Sequence, residues 1–153
     1  MRVFKDVEEL QAAVGEEIGP TDWIPITQQR VNKFAEATDD HQWIHVDRER
    51  AARSEFGTTI AHGYLTLSLL PKLASQLFVI EHRGAKLNYG VNKVRFPAPV
   101  KVGAAIRARV TIGAVEPVAV GKRVTLNYVV EVDGQERPAM VAESVVLILD
   151  PDS

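Results

Sequence analysis

The sequence predicts an α+β fold in one domain over residues 1–153: an antiparallel β-sheet wrapped around a long central α-helix. Three observations predict it. The first half carries apolar residues at helical spacing. The most apolar long segment, residues 63–80, lies in the middle of the chain. From Gly84 onward, apolar and polar residues alternate with a period of two.

Taken in order, Asp6 is placed to cap a short helix over Val7–Val14, with Gly15 as its stop. Residues 21–26 read as a short strand. Thr27 is an N-cap for a helix over Gln28–Ala37, whose Val31, Phe34 and Ala35 share one face. A polar loop, residues 39–45, follows, and then a short charged helix over 47–54. The third helix opens at His62-Gly63 and runs to about Ile80. Leucines surround it, so it is expected to be covered on most sides. Pro71 removes one backbone donor and is expected to kink or break it. Ala104 to Ile112, Val124 to Val132 and Met140–Leu149 have one apolar face each and read as half-buried antiparallel strands. With the strand that begins near Lys86 and ends at Pro97, they make a four-stranded meander. Asp133-Gly134 is a hairpin signal between two of these runs.

Composition removes several classes of function. The chain has no cysteine, so disulfides, thiolate catalysis and cysteine-held metal clusters are excluded, and a reducing, cytoplasmic setting is expected. The N-terminus is broken by charges and is no signal peptide. Residues 63–80 fall short of a membrane span and include Lys72 and Pro71. A net charge of −2 gives no nucleic-acid footprint. The charge is unevenly spread. Between His82 and Val115 there are seven Lys or Arg and no acid. That stretch is either a solvated sheet face or a landing strip for a phosphorylated ligand.

The chemistry-bearing residues cluster in one loop: Asp39, Asp40, His41 and His45. Read bare, they are caps and solvated loop residues, or a carboxylate and an imidazole converging on one water. Metal binding is a third reading. His41 and His45 are four apart, but the segment lacks the glutamate of a zinc helix. Ala61-His62-Gly63-Tyr64 opens the central helix. Gly63 either permits the turn or lets a ligand carbonyl approach the unpaired amides of a helix start.

Residues 34–45, FAEATDDHQWIH, resemble the motif of MaoC-like (R)-specific enoyl-CoA hydratases, the hydratase 2 family. That motif runs aromatic, small residues, Ser or Thr, Gly, Asp, any residue, Asn, Pro, aliphatic, His. Ala61-His62-Gly63 before a leucine-rich helix is similar to the family's central segment, and residues 88–100, NYGVNKVRFPAPV, to the strand after it. The likeness covers roughly residues 15–149. It implies the hot-dog fold, usually dimeric, and hence a homodimer. It implies Asp40 and His45 as the catalytic pair holding the reacting water, with Asp40 as general base and His45 helping to deliver a proton to the α-carbon. It implies that the Gly63 N–H binds the thioester oxygen. The reaction implied is syn hydration of a trans-2-enoyl-CoA to (R)-3-hydroxyacyl-CoA, with no metal or other cofactor. The acid-free stretch then becomes the approach for coenzyme A phosphates, with Asn92, Lys93 and Arg95 as candidates. Leu65, Ser68 and Leu69 lie where an acyl tail can run along the helix.

The chain departs from the motif at Asp39, where the family has Gly, and at Gln42-Trp43, where it has Asn-Pro. Asp tolerates the left-handed conformation better than most residues. Trp43 either walls the acyl pocket or packs under the loop. Two rival readings remain: a hot-dog acyl-CoA thioesterase, and one subunit of a heteromeric 3-hydroxyacyl-thioester dehydratase.

Overall fold

The computed structural model describes residues 1–151. The main sheet is built from β2 (Glu17–Ile18), β5 (Lys86–Arg95), β6 (Ala105–Val118), β7 (Gly121–Val132) and β8 (Met140–Leu149), in the order β2-β6-β7-β8-β5. Strand β3 (Ile24–Pro25) also pairs with β6. All pairings in this sheet are antiparallel. The expected α+β architecture is present: the sheet wraps a central helical segment.

The period-two pattern places its apolar residues as expected. Ile106, Ala108, Val110 and Ile112 of β6, Leu126, Tyr128 and Val130 of β7, and Met140 and Ala142 of β8 are buried. They join Leu70, Leu73 and Leu77 of the central helix in one core. Each large apolar side chain so buried contributes about 1.5–3 kcal/mol. The opposite face is polar. Arg107 and Arg109 both reach Glu131, with Nε–Oε distances of 2.6 and 3.2 Å, and Arg109 also reaches Glu17 at 3.4 Å. These two arginines of the acid-free stretch are therefore held in ion pairs on the sheet face.

Two caps stand where the sequence places them. Asp6 accepts from Glu9 N to open α1 (Val7–Ala12), and Thr27 accepts from Arg30 N to open α2 (Gln28–Thr38). Several expectations are corrected. Residues 39–45 are not all loop, because α3 (Trp43–Val46) forms within and beyond them, ahead of α4 (Arg48–Ala52). The central helix divides, as expected of Pro71, into two segments, α5 (Gly63–Ser68) and α6 (Leu70–Leu77). Pro71 has no N–H to offer the carbonyl one turn back, so the chain breaks at Leu69. Its final residues leave the helix as β4 (Phe78–Ile80), paired in parallel with β1 (Arg2–Phe4). Between 21 and 26 only Ile24–Pro25 is strand.

The four strands are not a simple meander. β6, β7 and β8 follow one another, but β5 crosses to pair with β8 and forms the sheet edge. Asp133-Gly134 turns the chain at the end of β7, with Gly134 at φ 75°, yet β8 starts only at Met140. The tight hairpin lies instead between β6 and β7, closed by the Val118–Gly121 pair with Gly121 at φ 147°. Among the described residues no helix is long and apolar enough to cross a membrane.

Candidate active site

The site forms where the end of α2, the turn α3 and the start of α5 meet. α2 stops because Asp39 adopts the left-handed conformation, φ 56° and ψ 24°, the one non-glycine residue at positive φ among those described. The reversal aims the Asp39 side chain at solvent, where it is 97% exposed. His41 is exposed beside it, 3.9 Å away. Asp40 is half-exposed, and its Oδ1 accepts from Gln42 N at 3.4 Å. The four-residue cluster therefore divides, with Asp39 and His41 facing out and Asp40 and His45 joining the site.

His45 is turned inward by α3 and is 6% exposed. Its Nδ1–H donates to the Ile60 carbonyl at 2.7 Å. That carbonyl is held in turn. Ile60 N donates to Ile44 O, Ala61 N to Val100 O and Val102 N to Thr59 O. From the other side, Gln28 Nε2 donates to the His45 carbonyl at 2.8 Å, while Gln28 Oε1 accepts from the buried Thr59 hydroxyl. With Nδ1–H committed, Nε2 carries the lone pair. Burial holds the His45 pKa below the ordinary histidine value, and His62 adds to this; the Ile60 carbonyl and Asp40 oppose it. His45 is thus a neutral acceptor at neutral pH.

Gly63 is the first residue of α5, where backbone N–H groups have no intrahelical partner. A Cβ there would meet the Phe96 ring at 3.0 Å, so glycine lets that ring close over the helix start. Tyr64 is exposed and lies edge-on to Phe96, with centroids 6.3 Å apart.

The candidates of the acid-free stretch lie on β5, at the edge of the sheet. Asn92 sits at an irregularity in β5 and donates to Glu143 Oε1 at 3.2 Å. Lys93 and Arg95 pair with Glu143 and Val141, so they share a sheet face. Arg95 is exposed, its Nη1 on the Val94 carbonyl, one residue before Phe96. Leu65 is core, and Ser68 bonds back to Tyr64 O. An apolar cavity of about 470 Å³ lies between α6 and the sheet, lined by Leu70, Ala74, Phe78, Leu126, Tyr128 and Val146 among others.

Residues 9–134 match the MaoC like domain family model. The chain belongs to this family. It is 54% identical over 147 residues to the 3-hydroxyacyl-thioester dehydratase Z of Mycobacterium tuberculosis (strain ATCC 25618 / H37Rv), covering 95% of this chain and 97% of that one. It is 41% identical over 148 residues to nodulation protein N of Rhizobium leguminosarum bv. viciae, covering 94% and 92%. Among solved structures, the (R)-hydratase from A. caviae involved in PHA biosynthesis superposes with a TM-score of 0.72 at 26% identity, covering 88% of this chain and 96% of that one. The fold is accordingly the hot dog of the MaoC-like domains.

In this MaoC-like domain, one donor atom each from Asp40, His45 and His62 lie within 4.8 Å of one another. They suit a metal poorly. The His45 and His62 rings are stacked, 3.8 Å between centroids and 23° from parallel, so their in-plane lone pairs cannot converge on one ion. His62, Gln28 and Thr59 are the site residues that sequence reading passed over. His62 was legible only as the residue before Gly63. Nothing in the pattern pairs Gln28 with Thr59, 31 positions away.

Proposed function

We propose that the chain is a hydro-lyase that adds water reversibly to a trans-2-enoyl thioester, giving the (R)-3-hydroxyacyl thioester. The observation that carries this reading is the pairing of a half-exposed carboxylate, Asp40, with an inward histidine held neutral and fixed through Ile60. Two acceptors a few ångströms apart suit a water that donates to both. Its oxygen lone pair then faces the substrate. The dehydratase and hydratase names of the relatives support the same chemistry.

The water oxygen bonds to C3 as one of its O–H bonds breaks. The C2=C3 π electrons move towards C2 and the thioester. The Gly63 N–H holds the thioester oxygen and stabilises that enolate-like charge. Asp40 takes the proton as general base. That same proton passes from Asp40 to the Nε2 of neutral His45 and from there to C2, so both side chains end the cycle as they began it. Both added groups come from one side, which makes the addition syn, and water supplies every atom, so no cofactor is required. The acyl tail runs into the cavity beside α6. Lys93 and Arg95, with Asn92, face the coenzyme A phosphates near the mouth. A second copy of this chain pairs along β5, the edge strand that exposes Leu87, Tyr89 and Val91.

The test is purified protein with crotonyl-CoA and a longer trans-2-enoyl-CoA, following the loss of enoyl absorbance and product chirality. Asp40→Asn and His45→Gln are each expected to lower kcat by about a thousandfold or more while the protein stays folded and dimeric. Substantial hydration in either variant, or an (S) product, overturns the reading. Thiol release from saturated acyl-CoA would point to the thioesterase instead.

A further inference from the structure

The geometry points to His62 as a positioning residue that fixes both members of the proposed dyad at once. The inference rests on the hydration reading above. His62 is the residue before α5 and is 2% exposed. Its ring lies between Phe34, at 4.9 Å, and His45, at 3.8 Å. Its Nε2 lies 3.0 Å from the backbone carbonyl of Asp40 and 4.0 Å from the Asp40 carboxylate. A carbonyl only accepts, so Nε2 carries the proton. The Asp40 backbone is then tied to the start of α5, the element that begins with Gly63. The same ring lies flat against His45 and stops it from tilting. The two stacked rings therefore donate through different nitrogens, Nδ1 in His45 and Nε2 in His62.

A purely space-filling role does not account for this arrangement. The Nδ1 atom of His62 is buried without a hydrogen-bond partner. A buried polar nitrogen without a partner is a cost that phenylalanine at this position would avoid. What histidine adds over phenylalanine is the single Nε2–H, and that group goes to Asp40. Asp40 follows a residue in the left-handed conformation and lies in a loop anchored otherwise by its own turn. The bond from His62 gives it a fixed distance to His45.

The experiment compares His62→Phe, which keeps the stacked ring and removes the donor, with His62→Gln, which places an amide N–H near the former Nε2. His62→Phe is expected to lower kcat for enoyl-CoA hydration by about tenfold or more, with KM changed by less than about threefold. His62→Gln is expected to recover at least about threefold of that loss. A smaller fall in the Phe variant, a loss carried by KM, or no gain in the Gln variant overturns the inference. If neither variant folds, 15N-detected imidazole NMR of the unaltered protein decides. A proton on His62 Nε2 is expected, and an Nε2 without one overturns the inference. Asp40→Asn is assayed alongside. If it remains active, the hydration reading falls. If it is inactive while His62→Phe is unimpaired, only the role of His62 falls.

Discussion

The ring of Phe96 lies so close to Gly63 that a single added methyl would meet it at 3.0 Å. Phe96 follows β5 and Gly63 begins α5, so this contact sets the gap between the sheet edge and the helix start. Gly63→Ala is expected to push the ring aside or shift the first turn of α5, which moves the amide proposed to hold the thioester oxygen. The expected result is a fall of about tenfold or more in kcat/KM, less than the roughly hundred- to thousandfold cost of losing one oxyanion donor outright. Stability should change by no more than about 1–2 kcal/mol, because Phe96 is part-exposed and can yield. Adding Phe96→Ala should return part of the activity. Steady-state kinetics and thermal melts of the three proteins check this, and no recovery in the double variant would argue against steric displacement.

His45 gives the protein a pH dependence of known sign. Burial lowers its pKa below the ordinary value of 6.5 in the folded chain. Between the folded value and 6.5, the unfolded chain binds more protons than the folded one, so stability rises with pH across that window. The contribution is complete above about 6.5 and is lost as pH falls towards the folded value. Urea unfolding of the unaltered protein and of His45→Gln, at pH 5.5 and 7.5, is expected to show a smaller pH difference in the variant. In the same way, the acid limb of kcat/KM should lie below pH 6.5. A limb at or above 6.5 would contradict a buried, neutral His45.

Asp39 tests whether the loop backbone matters apart from its side chain. The side chain reaches solvent, but the residue sits at φ 56°. Asp39→Val is expected to cost about 1–2 kcal/mol, since a β-branched residue resists that conformation, and to lower activity by displacing Asp40. Asp39→Gly should be close to neutral in both. Equal stabilities for the two variants in chemical denaturation would show that the strain is relieved elsewhere.

Ala74 reports on the tail. It lines the cavity between α6 and the sheet. Ala74→Phe is expected to lower kcat/KM for a long enoyl-CoA by about tenfold or more, while crotonyl-CoA changes by about twofold or less. Parallel loss on both substrates would mean that the tail does not use this cavity.

Local physics made some of this legible. Asp6 and Thr27 cap the helices expected of them, because an N-cap is settled within three residues. The alternating runs at Ile106 to Ile112 and at Leu126 to Val130 show which face is buried, because a strand repeats every two residues. Asp40 and His45 were legible only through the resemblance of residues 34–45 to the family motif. The partner of each strand was not. β5 skips β6 and pairs with β8, a choice made by how the sheet closes around α6 and by nothing near residue 86.

By itself, the sequence determined the α+β class and the buried helical segment, since each follows from residue type and short-range spacing, and the likeness of residues 34–45 to a family motif singled out Asp40 and His45. Only the tertiary structure decided what those residues face. It split Asp39 and His41 from the site, because a single left-handed residue turns them outward. It fixed His45 through the Ile60 carbonyl, and set His62 between Phe34 and His45. These partners are 15 or more positions apart in the chain, except for the His45 turn itself. Contacts at that separation are set by the packing of elements, which residue spacing does not encode.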